Sequence, residues 1–121
     1  MRVLLVEEDD GIASVVADVL GEEQHAVTRA SSRREGLALA AGRKFDLVLT
    51  ESFGQGYEHP SSADLSALRT LACHSPVVLL TAYDWARRVR PEELGVAAIV
   101  HKPFNLDELL ATVRDVGSPE G

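Results

Sequence analysis

The sequence predicts one α/β domain, doubly wound, with a parallel five-stranded sheet covered by helices on both faces. Three observations carry this expectation. Four short runs are apolar almost throughout, as strands buried on both faces are: Val3-Leu4-Leu5-Val6, Leu47-Val48-Leu49-Thr50, Val77-Val78-Leu79-Leu80-Thr81 and Ala97-Ala98-Ile99-Val100. Segments of helical spacing separate them, and strict alternation of the two kinds is the pattern of a parallel sheet wrapped by helices. The length, 121 residues, suits one domain of common size with a real core and leaves no room for a second.

The elements follow in order. After the first strand, Ile12, Val15, Val16, Val19 and Leu20 recur at helical spacing, with Gly21 as a stop. Ala26-Val27-Thr28 is a weak second strand. Ser32 and Glu35 form a capping-box pattern that opens a helix carrying Leu37 and Leu39 and closing at Gly42. Phe45 and Asp46 lead into the third strand, and the stretch from Glu51 to Ser62, with Gly54, Gly56 and Pro60, reads as an irregular loop. Ser61 with Asp64 caps a helix whose Leu65, Leu68 and Leu71 share a face, and Pro76 introduces the fourth strand. Asp84 is a candidate cap for a helix holding Trp85 and Val89, but Pro91 forbids a long one, so this element is expected short or bent. Asn105 and Glu108 cap a last helix with Leu106, Leu109, Leu110 and Val113 along one side, ending at Gly117. Residues 1–117 form the domain, and 118–121 read as a tail or the start of a linker.

Twelve basic and 19 acidic residues give a net charge of -7, which opposes unspecific binding to nucleic acid or to an anionic membrane. Four apolar residues precede the acidic run at the N-terminus, too few for a signal peptide or a span, so the cytoplasm is the expected compartment. The single cysteine, Cys73, excludes an internal disulfide and reads as a small buried residue. His25, His59, His74 and His101 lack metal-ligand spacing and read as surface or loop residues. Arg87, Arg88 and Arg90 read as a solvated face, and Tyr83 and Trp85 as packing or contact residues.

The chemistry-bearing residues lie at strand ends. Glu7 and Glu8 follow the first strand, Glu51 the third and Lys102 the fifth, while Thr81 ends the fourth. In open α/β sheets ligands bind outside the carboxyl ends of the strands, so these groups are expected at one edge. Taken alone, Asp9, Asp10 and the glutamates could do no more than favour a first helical turn.

In this order and spacing, Val6-Glu7-Glu8-Asp9-Asp10-Gly11-Ile12, Asp46-Leu47-Val48-Leu49-Thr50-Glu51, Leu80-Thr81-Ala82 and His101-Lys102-Pro103-Phe104 resemble the receiver domain of bacterial two-component response regulators. The resemblance covers almost the whole chain. It implies a flavodoxin-like sheet in the order 2-1-3-4-5 and a role in signal transduction, not catalysis. It makes Glu51 the equivalent of the phosphoacceptor Asp, Glu7 and Glu8 the acidic pocket, Thr81 and Lys102 the switch and phosphate-contact residues, and Pro103 a candidate for a cis peptide. It would also give a Mg²⁺ ion Glu8, Glu51 and the main-chain carbonyl of Phe53 as ligands. The implied partners are a histidine kinase or a downstream effector, met through the face of helix four, strand five and helix five, with no nucleic acid or membrane bound by this domain.

The chain departs from the family at decisive points. Glutamate stands at both metal-ligating positions, which moves each carboxylate outward by about one C–C bond, roughly 1.5 Å, a displacement that costs large factors in rate where charges must be in place around a phosphoryl group. Ile99 stands where the family carries an aromatic, and the segment between Thr81 and Gly95 is about one residue short. The sequence therefore reads as an atypical receiver, held in one state without phosphoryl transfer and needing no cofactor, with the fixed anion on Glu51 beside Lys102. Two alternatives stay open: a conventional Mg²⁺-dependent phosphoacceptor using Glu51, and a small metal-dependent phosphate-ester hydrolase using the same carboxylates. The second lacks a convincing general base.

Overall fold

A computed structural model describes residues 1–51 and 61–117. The loop expected after Glu51, with Phe53 and His59, and the tail at 118–121 fall outside these residues. Five strands, β1 (Arg2–Val6), β2 (Ala26–Ala30), β3 (Leu47–Glu51), β4 (Val77–Thr81) and β5 (Ala98–His101), alternate with the helices α1 (Asp10–Glu22), α2 (Arg33–Gly42), α3 (Ser62–Ala72), α4 (Pro91–Leu94) and α5 (Leu106–Gly117). All strand pairs are parallel, in the order β2-β1-β3-β4-β5.

The continuous apolar strands are continuous because each face has its own cover. Val3, Leu5, Leu47, Leu49, Val78 and Leu80 meet Ala13, Val16 and Leu20 of α1 and Leu109 and Val113 of α5. On the other face Leu4, Val6, Val48 and Leu79 meet Ala40 of α2, Leu68 and Leu71 of α3, and Leu94 of α4. A strand's period of two thus feeds both layers at once.

Most helix ends follow their expected chemistry. Asp9 accepts from the Ile12 amide at the start of α1, Ser61 and Asp64 form a full capping box on α3, and Asn105 Oδ1 accepts from the Glu108 amide at 2.7 Å. At α2, Ser32 caps the Glu35 amide, but the Glu35 carboxylate bonds the Ser31 amide instead of closing the box. Before Pro91 the chain forms only a 3₁₀ turn over Asp84–Arg87, its cap position falling on Tyr83 and not on Asp84. Pro91 then opens α4 at its first turn, where a missing N–H costs nothing, so the proline splits the expected helix in two.

Two expectations are corrected, and α2 adds a finding. Cys73 is exposed, because it follows the last residue of α3 after the buried stripe of Leu68 and Leu71 has ended. His101 is not a surface residue: it is the last residue of β5, half-buried, with Nδ1 buried and lacking a hydrogen-bond partner. The buried residues of α2 are Gly36 and Ala40, not its leucines, which are half-buried. Gly36 lies so close to β1 that a Cβ there would stand 2.7 Å from Val6 Cγ2, whereas one on Gly21 in α1 would meet nothing within 4 Å. The same substitution should therefore act with opposite signs. Gly21→Ala is expected to stabilise by up to about 1 kcal/mol through helix propensity, and Gly36→Ala to destabilise by about 1 kcal/mol as overpacking against a β-branched neighbour outweighs that gain. Urea unfolding of the two variants checks this.

Candidate functional site

The parallel register brings the carboxyl ends of β1, β3, β4 and β5 to one edge, and with them Glu7, Glu51, Thr81 and Lys102. Glu7 continues the β1 ladder by one residue, its amide donating to the Ala30 carbonyl at 3.0 Å. Its side chain turns inward and is 1% exposed. A carboxylate so placed needs partners, and three stand among the described residues. Lys102 Nζ donates to Oε1 at 3.2 Å, the Asp9 amide donates to Oε2 at 3.2 Å, and the Glu51 carboxyl is hydrogen-bonded to it. Glu8, next in sequence, is exposed.

These contacts separate two acids that begin alike. Burial pushes Glu51 from its ordinary 4.5 up to about 8, and the hydrogen bond to Glu7 and the negative charges of Glu7 and Glu8 push the same way, against the pull of Lys102. Burial raises Glu7 too. There the hydrogen bonds from Glu51 and the Asp9 amide, with the Lys102 ammonium, outweigh it and hold Glu7 below its ordinary range. The two carboxyls titrate as a pair, with the upward shift falling on Glu51 and the downward one on Glu7, the acid that Lys102 contacts. The sequence reading gave the fixed anion to Glu51 beside Lys102. The hydrogen bond and ion pair of Lys102 run to Glu7, while its charge also acts on Glu51.

Thr81 is buried at the end of β4, its hydroxyl accepting from the Tyr83 amide at 3.1 Å and its carbonyl from the Lys102 amide at 2.8 Å. The peptide between Lys102 and Pro103 is cis. Beside it lies a cleft of about 430 Å³ lined by Ile12, Ala82, Lys102, Pro103 and Phe104. Ile99 is half-buried and packs against the core on the α2, α3 and α4 side of the sheet, as Tyr83 does, in the place for which the resemblance implies an aromatic. Tyr83 and Trp85 stack with ring centroids 6.2 Å apart, Trp85 buried and Tyr83 half-buried.

The resemblance implies Glu8, Glu51 and the Phe53 carbonyl as the groups that would hold a Mg²⁺ ion. A small hard cation takes ionised oxygen ligands in a near-octahedral set; of the groups here Glu8 is exposed, burial and the neighbouring Glu7 raise the pKa of Glu51, and a lysine balances the charge of Glu7. Among the described residues no group of three acidic, histidine or cysteine side chains is arranged to hold a metal. Phe53 falls outside them.

The sequence reading missed one residue of the site. Arg29, near the end of β2, sends its guanidinium over the turn between β1 and α1, donating from Nε and Nη2 to the Glu7 carbonyl at 3.0 and 2.8 Å, from Nη2 to the Glu8 carbonyl at 3.2 Å, and from Nη1 to Asp10 at 2.8 Å. The signal appears only once β2 is seen to extend through Arg29. A lone arginine in an otherwise weak strand adjacent to β1 stands where its fork can meet the acidic turn.

Known proteins agree with this architecture. The model of the response regulator receiver domain matches residues 3–114. The transcriptional regulatory protein PcoR of Escherichia coli is 32% identical over 117 residues, covering 93% of this chain and 50% of that protein. The uncharacterized transcriptional regulatory protein YkoG of Bacillus subtilis is 35% identical over 114 residues, covering 93% and 49%. The chain thus spans about half the length of these relatives. Among solved structures, the non-phosphorylated HemR receiver domain of Leptospira biflexa superposes with a TM-score of 0.78 at 28% identity, over 97% of this chain and 94% of that one. Response regulator TrrA of Thermotoga maritima, in complex with Mg²⁺ and BeF, gives 0.77 at 25%, over 95% and 97%. Among the described residues no helix is long and apolar enough to cross a membrane. With the family model covering nearly the whole chain and the sheet order agreeing, this protein belongs to the response regulator receiver domains of two-component signalling.

Proposed function

We propose that this receiver holds one signalling state without phosphoryl transfer, because its acidic pocket is closed from within. The observation that carries the reading is the contact of Lys102 Nζ with Glu7 Oε1 at 3.2 Å, on a carboxylate 1% exposed. Phosphoryl transfer to a carboxylate needs an ionised acceptor, and cations free to meet the charge spread over the phosphoryl oxygens. Here burial and the neighbouring Glu7 and Glu8 charges raise the pKa of the acceptor-equivalent Glu51, and Lys102 is engaged by Glu7. Output then depends on protein contact, with a histidine kinase or a downstream effector as partner and the surface of α4, β5 and α5 as the candidate face. That surface differs in shape from a long-helix version, since Pro91 leaves α4 one turn long. The curated relatives carry transcriptional regulation in their names, and a role in transcription is the corresponding reading for a protein that contains this domain.

The test is incubation with acetyl phosphate and Mg²⁺ followed by intact-mass measurement. No stable phosphoryl-sized increase is expected on the wild-type chain. A stoichiometric increase that maps to Glu51 would overturn the proposal and restore the Mg²⁺-dependent phosphoacceptor.

A further inference from the structure

We infer that Arg29 is a positioning residue of the acidic pocket: by holding the Glu7 and Glu8 carbonyls it fixes the turn that points Glu7 inward to Lys102 and leaves Glu8 outside. This deepens the proposed function and rests on its reading of Lys102 as the pocket's internal cation.

The argument starts from unsatisfied backbone. Glu7 is the last residue whose amide joins the ladder between β1 and β2, so its carbonyl and that of Glu8 have left the sheet before α1 begins at Asp10. Carbonyls at such a place need donors. Arg29 supplies three hydrogen bonds, two of them to Glu7 at 3.0 and 2.8 Å and one to Glu8 at 3.2 Å. Its planar fork fixes direction as well as distance, which a flexible ammonium does not. Orienting the Glu7 carbonyl sets the residue's backbone, and hence the exit direction of a side chain that must enter a buried site. The remaining contact, to Asp10, has a side chain 91% exposed, so it contributes little and marks the carbonyls as the important partners. Arg29 is itself 30% exposed at its side chain, at the rim and not in the core.

A purely structural strut would alter stability alone, so the readout must be the pocket. Lysine is scarce here: Lys44 and Lys102 are the only two. Nitrogen-15 NMR of the side-chain ammonium groups, assigned with a Lys44→Arg variant, therefore reports on Lys102 directly. In the wild type its ammonium is expected as a distinct, slowly exchanging signal, and Lys44 as a fast-exchanging one. Arg29→Gln should move the Lys102 signal to the position and exchange behaviour of Lys44. Asp10→Asn, which removes only the exposed ion pair, should leave it unchanged, and Arg29→Lys should give an intermediate signal.

The outcomes separate the two claims. A wild-type Lys102 signal already like that of Lys44 removes the internal cation and with it the proposed function. A held signal in the wild type that persists unchanged in Arg29→Gln overturns the positioning role alone. Should Arg29→Gln not fold, Arg29→Lys decides: a Lys102 signal identical to wild type counts against the inference, and a weakened one supports it.

Discussion

Replacing Lys102 with methionine is expected to destabilise the domain by about 3 kcal/mol, near the low end for breaking a buried ion pair, and to lower the melting temperature by roughly 10 °C. The reason is Glu7. At 1% exposure the carboxylate would keep its hydrogen bonds from Glu51 and the Asp9 amide but lose Lys102, its one ion-pair cation among the described residues. The low end applies because Lys102 is itself 22% exposed at its side chain, so some water reaches the pair, and because Glu7 can relieve the strain by taking up a proton. The sharper test is a double-mutant cycle. Glu7→Gln alone leaves the ammonium without its partner, while Glu7→Gln with Lys102→Met removes both charges and should recover part of the loss. Strict additivity of the two single losses in thermal unfolding would show that the pair has no coupling and that the pocket is not closed by it.

The second large effect is on the pH dependence of stability, and it belongs to Glu51. Its pKa rises from 4.5 to about 8 on folding, so the folded state holds a proton that the unfolded chain has released. Stability from this group is fully present below pH 4.5 and is lost as pH rises through about 8. Glu7 has the opposite shift and acts only below 4.5, losing its contribution as pH falls, so it adds no slope in the window of interest. His25, lowered by burial and by the neighbouring N-terminal charge, contributes stability lost as pH falls below 6.5 and partly masks the effect. Comparison with Glu51→Gln cancels that term. The amide is nearly isosteric, keeps a donor toward Glu7, and cannot titrate. Between pH 5.5 and 8.5 the wild type should lose about 2 kcal/mol more than the variant, well under the full value of the shift because Glu51 is partly exposed and shares its proton. Parallel stability curves for the two proteins in urea titrations would sink this account.

Much of the architecture is legible in the residue order, for physical reasons that particular segments display. Val3 to Val6 and Val77 to Leu80 can be apolar at every position only if both faces are covered, and that implies helices above and below. Capping residues such as Ser61 and Asp64 act over three residues, a range a linear reading resolves well. Pro91 forbids a helix interior by its missing N–H, so a short or split element follows from one residue. The second strand was undersized in the sequence because Arg29 and Ala30 look unremarkable there; β2 extends through both since β1 supplies its ladder partners. Gly36 carried no sequence signal at all. Its importance comes from Val6, thirty positions away.

The acidic site divides along the same line. That Glu7, Glu8, Glu51, Thr81 and Lys102 belong to one edge follows from their places at strand ends, together with the topological rule for where such sheets bind. Residue order could not decide which glutamate turns inward, which holds the proton, or which one the lysine meets. Those are properties of burial and distance: Glu7 sits within 3.2 Å of an ammonium and an amide, while Glu51, drawn into the same low-dielectric space beside an existing anion, is cheaper neutral than charged. By itself the sequence determined a receiver fold and the identity of the groups at its working edge. Only the tertiary structure decided which of them meet and which way the pKa values of Glu7 and Glu51 move, because a pKa depends on neighbours up to 95 positions apart along the chain, brought together by packing alone.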